Sequence, residues 1–198
     1  MNPIRNLSIV LLIAVAAVIV SCGGGNDTYY PKPRGFYRLD LPEKKYVTFD
    51  SVYPFTCRIP ENSHISPVES SEPGSVWFNL VFPDYNGSVN FSYKTIKGNL
   101  YQLTEDARDF ANKHIAKANE IKEMQVSHAE NKVYGLIYDI EGTNSASPYQ
   151  FYLTDSTRHY LRGAVYFNHI PNNDSIAPII QRVKEDLDTL MASLKWKN

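Results

Sequence analysis

The chain has 198 residues, 43% of them hydrophobic and 13% aromatic, with 20 Lys and Arg against 21 Asp and Glu for a net charge of −1. That balance excludes the strongly basic face that nucleic acid requires, and a total of two cysteines excludes a disulfide-built fold. The length suffices for one well-formed hydrophobic core.

The chain opens on a short polar stretch with one positive charge, Arg5, followed by an apolar run from Leu7 to Val20 broken only by Ser8. A membrane-crossing helix needs about 20 residues, so this run is too short to span and fits the central region of a secretory signal. It ends at Ile19-Val20-Ser21-Cys22, which resembles the bacterial lipobox: aliphatic, small or aliphatic, small, then Cys. Residues 1–21 are therefore expected to be a cleaved signal peptide, with Cys22 as the lipidated first residue of the mature protein. Several acyl chains, at ~0.8 kcal/mol per buried methylene, hold a protein durably where one would not.

Residues 22–34 read as a tether. Gly23-Gly24-Gly25-Asn26-Asp27-Thr28 has nothing to pack and is flexible, whereas Pro31 and Pro33 stiffen the stretch before Gly35. At full extension it reaches at most ~45 Å from the membrane. The approach to the domain is basic and aromatic, with Tyr29, Tyr30, Lys32, Arg34, Phe36, Tyr37 and Arg38. Two readings fit: a linker lying near lipid headgroups, or a docking segment for a neighbouring envelope protein, with Lys32, Pro33 and Arg34 in the contact.

Residues 35–198 are expected to form one globular domain. Phe36 to Leu41 reads as a short strand ended by Pro42, Phe55 to Ile59 as a second, and Pro60 to Ser75 as mostly loop. Val76 to Phe82 reads as a buried strand. Asp84-Tyr85-Asn86-Gly87 turns the chain into Ser88–Ile96, where Val89, Phe91, Tyr93 and Thr95 alternate with Ser88, Asn90, Ser92 and Lys94. A helix is predicted from Thr104, its stripe running through Ala107, Ala111, His114, Ala118 and Ile121. Strands follow at Val133–Glu141, Tyr149–Thr154 and Tyr160–Phe167. A final helix from near Asp174 carries a core stripe from Ile176 to Leu194, with Arg182, Lys184, Glu185 and Asp188 toward water. The order predicts an α+β protein, an antiparallel sheet flanked by helices in an α/β/α sandwich resembling the Mog1/PsbP-like fold.

No pattern carries a catalytic, cofactor or metal site. Asp155, Ser156 and His159 are the residue types of a hydrolytic triad, but three side chains on one short turn cannot easily be set in line, and no nucleophile elbow is present. A tight turn held by side-chain-to-backbone hydrogen bonds is the structural alternative. His64, His114, His128, His159 and His169 lack ligand spacing, and His114 reads as a hydrogen-bonded core residue. Cys57, left without a partner once Cys22 is acylated, reads as a buried inert thiol. Asp155, Arg158, His159 and Arg162, beside aromatic strands, are further candidate partner-binding residues.

Several stretches together resemble the gliding motility lipoprotein GldD family of the Bacteroidetes. They are Pro31-Lys32-Pro33-Arg34-Gly35 with Leu41-Pro42; Leu103-Thr104-Glu105-Asp106 with Lys113-His114; Ala146-Ser147-Pro148 with Gln150-Phe151; Thr154-Asp155-Ser156-Thr157 with His159 and Leu161-Arg162-Gly163-Ala164; and Leu194-Lys195-Trp196-Lys197. One departure is Tyr160, where the family pattern leads one to expect Phe. The resemblance implies a non-enzymatic assembly or scaffold lipoprotein of gliding motility and the type IX secretion system, with no cofactor. It implies partners among the other envelope lipoproteins of that apparatus. It also implies palmitate-type acylation at Cys22 and, because the acidic run of surface-exported lipoproteins does not follow the cysteine, a periplasm-facing anchor in the outer membrane. Asp50-Ser51-Val52, Asp155-Ser156-Thr157 and Asp174-Ser175-Ile176 look like the phylum's O-glycosylation pattern. The alternative reading is a periplasmic carrier that binds lipid or glycan between sheet and helix.

Overall fold

The computed structural model describes residues 41–197. The signal segment, the tether with Cys22, Lys32, Pro33 and Arg34, and the strand expected at Phe36–Leu41 (its last residue apart) lie outside them. The described residues build two antiparallel sheets and two helices.

The larger sheet has seven strands in the order β3-β4-β5-β9-β8-β7-β6. Its strands are β3 (His64–Val68), β4 (Ser75–Phe82), β5 (Gly87–Thr95), β6 (Glu120–His128), β7 (Val133–Glu141), β8 (Tyr149–Thr154) and β9 (His159–Phe167). The smaller sheet joins β1 (Tyr46–Asp50), β2 (Phe55–Pro60) and the two-residue β10 (Lys195–Trp196). Helix α1 (Leu100–Asn112) covers one face of the large sheet, and α2 (Ala177–Ser193) lies on the other together with the small sheet.

Period-two alternation divides the sheet into two faces. Val89, Phe91, Phe151, Leu153, Leu161 and Val165 point toward α2 and the small sheet, where Phe55, Cys57, Val183, Leu187 and Leu190 complete the main core. Phe78 stacks on Phe91 at 4.9 Å between ring centroids, and Phe91 meets Phe151 edge-on at 5.9 Å. On the opposite face Ala107 and Ala111 let α1 approach Tyr138 and Ile140 closely.

The β4–β5 hairpin has the expected form: a single 3₁₀ turn over Pro83–Tyr85, then Asn86 at φ +47°. Gly87 is needed for a different reason, since a Cβ there would lie 2.7 Å from the Phe167 ring. Strands β7 and β8 keep their predicted limits, and β9 starts one residue early.

Four expectations are corrected. Helix α1 begins at Leu100, after Asn99, rather than at Thr104, and it ends at Asn112. The stripe does not continue: Ala118 follows a 3₁₀ turn (Ile115–Lys117) in extended conformation, and Ile121 lies on edge strand β6. In β6 only Val126 is buried, so it shows no alternation, and its charges are what keeps an edge from pairing with another chain. The loop expected over Pro60–Ser75 contains β3, an edge strand able to hold Pro67, and β1 fell in a stretch given no element. Finally, Arg182 is buried rather than facing water, 3.4 Å from Asp186.

Candidate functional site

The turn from β8 to β9 brings Asp155, Arg158 and His159 together. One oxygen of Asp155 accepts hydrogen bonds from the backbone N–H groups of Thr157, Arg158 and His159 at 2.8–3.0 Å, and the other accepts from the Thr157 hydroxyl at 2.8 Å. Ser156, at φ +67°, caps the bend with its N–H on the Thr154 hydroxyl. Burial alone would raise the Asp155 carboxyl, but the three backbone donors outweigh it and hold the group at about 2. The carboxylate thus organises the turn's backbone, as the turn reading expects.

His159 is 5% exposed. Its Nδ1 shares a hydrogen bond with the Tyr93 hydroxyl at 2.8 Å, and its ring stacks parallel on Trp196, 5.0 Å between centroids. Burial lowers its pKa, which favours the neutral ring. These contacts place His159 in the packing between β5, β9 and β10. A groove of about 410 Å³ opens beside it, lined by Arg158, Lys132, Lys195, Lys197 and Trp196. Arg158 is exposed at its rim.

Arg162 lies elsewhere. Three residues along a strand reverse the direction of a side chain, so His159 points toward the main core and Arg162 toward α1. Its Nη2 donates to Gln150 Oε1 at 2.6 Å, and its guanidinium sits 4.5 Å above the Phe110 ring. The four candidate residues of this stretch therefore form two surfaces on opposite faces. Neighbouring Tyr160, the departure from the family pattern, uses its hydroxyl to donate to Leu103 O at 2.7 Å.

Cys57 sits as read, whereas His114 is not the core residue of a helix stripe that was expected. Cys57 is 3% exposed, and burial pushes its thiol up to about 12. His114 is part-buried just beyond α1, with Nδ1 3.5 Å from the Ser145 hydroxyl. Among the described residues no group of three His, Cys, Asp or Glu side chains is placed to hold a metal ion, and no helix is long and apolar enough to cross a membrane. Sequence reasoning missed the groove around Arg162, whose floor includes Trp77, Asn79 and Asn90. Its signal was present: β5 carries a wholly polar face although it lies inside a sheet.

The described fold is similar to the solution structure of cyanobacterial PsbP (CyanoP) from Synechocystis sp. PCC 6803. The two are 10% identical, with 79% of this chain and 95% of that chain covered and a TM-score of 0.50. At that identity the likeness shows the fold alone, the expected antiparallel α+β sandwich of the Mog1/PsbP-like kind. No curated protein matches the sequence. The family described as gliding motility lipoprotein GldD matches over residues 26–196, and the chain belongs to that family of lipid-anchored cell-envelope proteins involved in gliding motility.

Proposed function

We propose that this protein is a non-enzymatic assembly component of the gliding apparatus and its type IX secretion machinery. It would be held by acyl chains on Cys22 and face the periplasm from the outer membrane. The observation that carries this reading is the family match across nearly the whole mature chain. Neither the family nor the PsbP-like fold is one of known enzymes. The Asp155 turn supports a docking role: its rigid backbone presents Arg158 beside Lys195 and Trp196, a cationic and aromatic combination favoured at protein contacts. Lys32, Pro33 and Arg34 add a second basic segment to the contact with other lipoproteins of the apparatus.

Crosslinking and affinity purification of the tagged lipoprotein from its own envelope test this. Recovery of gliding or secretion lipoproteins, lost on combined Lys32→Ala, Arg34→Ala and Arg158→Ala replacement, is the expected result. Recovery of none of them from the wild-type protein would overturn the reading.

A further inference from the structure

Helix α1 covers only part of its face of the large sheet. Ala107 and Ala111 pack over β7, and Tyr160 on β9 holds the helix through Leu103. Beyond Phe110 the face of β4 and β5 is open, and a groove of about 450 Å³ runs between it and the helix, within the ordinary range for small-ligand sites.

The register places its floor in two rows. Trp77, Ser92 and Arg162 are directly opposed across β4, β5 and β9, and Asn79 faces Asn90 in the adjacent row. With strands ~4.8 Å apart, Trp77 and Arg162 stand roughly 10 Å from each other at the backbone. The helix contributes the half-exposed Phe110 and Asp106, whose carboxylate accepts from Gln102 at 2.8 Å.

Arg162 is the unusual member. Among the described residues the comparably buried cations have carboxylates, Arg182 with Asp186 at 3.4 Å and Lys184 with Asp139 at 2.6 Å. The groove's own Lys94 pairs with Glu72 at 2.7 Å. Arg162 forms no ion pair with any described carboxylate; its contacts are the neutral Gln150 and the Phe110 ring. Burial pulls its pKa down, opposed by the neighbouring Tyr166, Tyr160 and Tyr138 rather than by an ion pair. A guanidinium held over an aromatic ring, with N–H groups left over, is prepared for a bidentate carboxylate.

The rest of the groove says what carries that carboxylate. The main-chain groups of β4, β5 and β9 pair within the sheet, so an extended peptide on this face finds no strand to join. What remains is side-chain amides, a carboxylate, a hydroxyl and the Trp77 ring, since Phe110 is covered by Arg162 and Lys113. These match ring hydroxyls and the C–H face of a sugar.

We propose that the groove binds an acidic oligosaccharide of the uronic-acid type, its carboxylate on Arg162, a ring face against Trp77, and hydroxyls on Asn79, Asn90 and Asp106. The site is independent of the assembly role and gives the domain a grip on an envelope polysaccharide.

Calorimetric titration of the mature lipoprotein in detergent with trigalacturonic acid tests it, with maltotriose and hexaglutamate as comparisons. Saturable binding of trigalacturonic acid is expected, at least tenfold tighter than of either comparison. It should weaken tenfold or more in Arg162→Gln and in Trp77→Ala, and remain unchanged in Lys122→Ala on the far edge. Ser92→Asp offers Arg162 an internal carboxylate from the adjacent strand without removing any packing, and should weaken binding as much. Absence of saturable binding, or binding indifferent to Ser92→Asp and Arg162→Gln, would overturn the proposal. Hexaglutamate binding as tightly with the same Arg162 dependence would also overturn it, in favour of an acidic protein partner.

Discussion

The carboxylate of Asp155 accepts three backbone N–H groups and one hydroxyl from the residues that follow it. Its pKa is depressed from 3.8 to about 2, so its stabilising effect is fully present above its unfolded value and is lost as pH falls from about 4 to about 2. Because the turn is partly open to solvent, we expect Asp155→Asn to cost about 1–2 kcal/mol at neutral pH. Urea unfolding measured across that window should show the acid sensitivity of the wild type reduced in the variant. Gly163 illustrates a different constraint. A Cβ there would overlap the Phe151 ring on the adjacent strand, so Gly163→Val is expected to destabilise by about 2–3 kcal/mol in the same assay, with no change at the Asp155 turn.

At the level of elements, α2 does more than fill the core. Arg182 donates to Pro42 O at 2.9 Å, Asp186 accepts from the Tyr46 hydroxyl at 2.8 Å, and Lys44 reaches Glu185 at 2.6 Å. One helix thus fastens the segment leading into β1. Arg182 and Asp186 are buried, so removing the arginine strands a carboxylate away from water. Arg182→Ala should cost about 3 kcal/mol, while Lys44→Ala, which breaks only an exposed pair, should cost under about 1 kcal/mol. Equal losses in thermal unfolding would contradict this picture. The sequence showed the amphipathic stripe of α2 clearly, because seven apolar side chains recur at helical spacing. It could not show that Arg182 turns inward, since that depends on where residues 42–46 return. The same limit explains α1 and β6: Ala118 and Ile121 continue a helical period, but the chain leaves the helix after Asn112 and residues 120–128, Ile121 among them, pair with β7 as a strand. Local pattern loses to long-range pairing where a strand is polar on both faces.

For the whole molecule, the proposed function makes position in the envelope depend on acyl chains at Cys22. Cys22→Ala is expected to move the protein from the membrane to the soluble fraction without changing the unfolding transition of its domain; fractionation followed by immunoblotting measures the first and circular dichroism the second. The family, the lipid anchor and the fold class were legible in the sequence, since they rest on contiguous motifs and on alternation within single segments. Strands β4, β5, β7, β8 and β9 were readable for the same reason: buried faces impose period two on the residues themselves. Whether Asp155, Arg158, His159 and Arg162 form one surface was not legible. They are neighbours in the chain, yet the strand's pleat sends His159 into the core against Trp196 and Arg162 to the opposite face beneath α1. Nor could the sequence place Trp77, Ser92 and Arg162 in one row, because the register of three strands far apart in the chain is set by tertiary packing. Composition and motif thus determined what kind of protein this is and that it is lipid-anchored. The tertiary structure alone decided which side chains share a surface, because contacts between distant segments exist only after the sheet has formed.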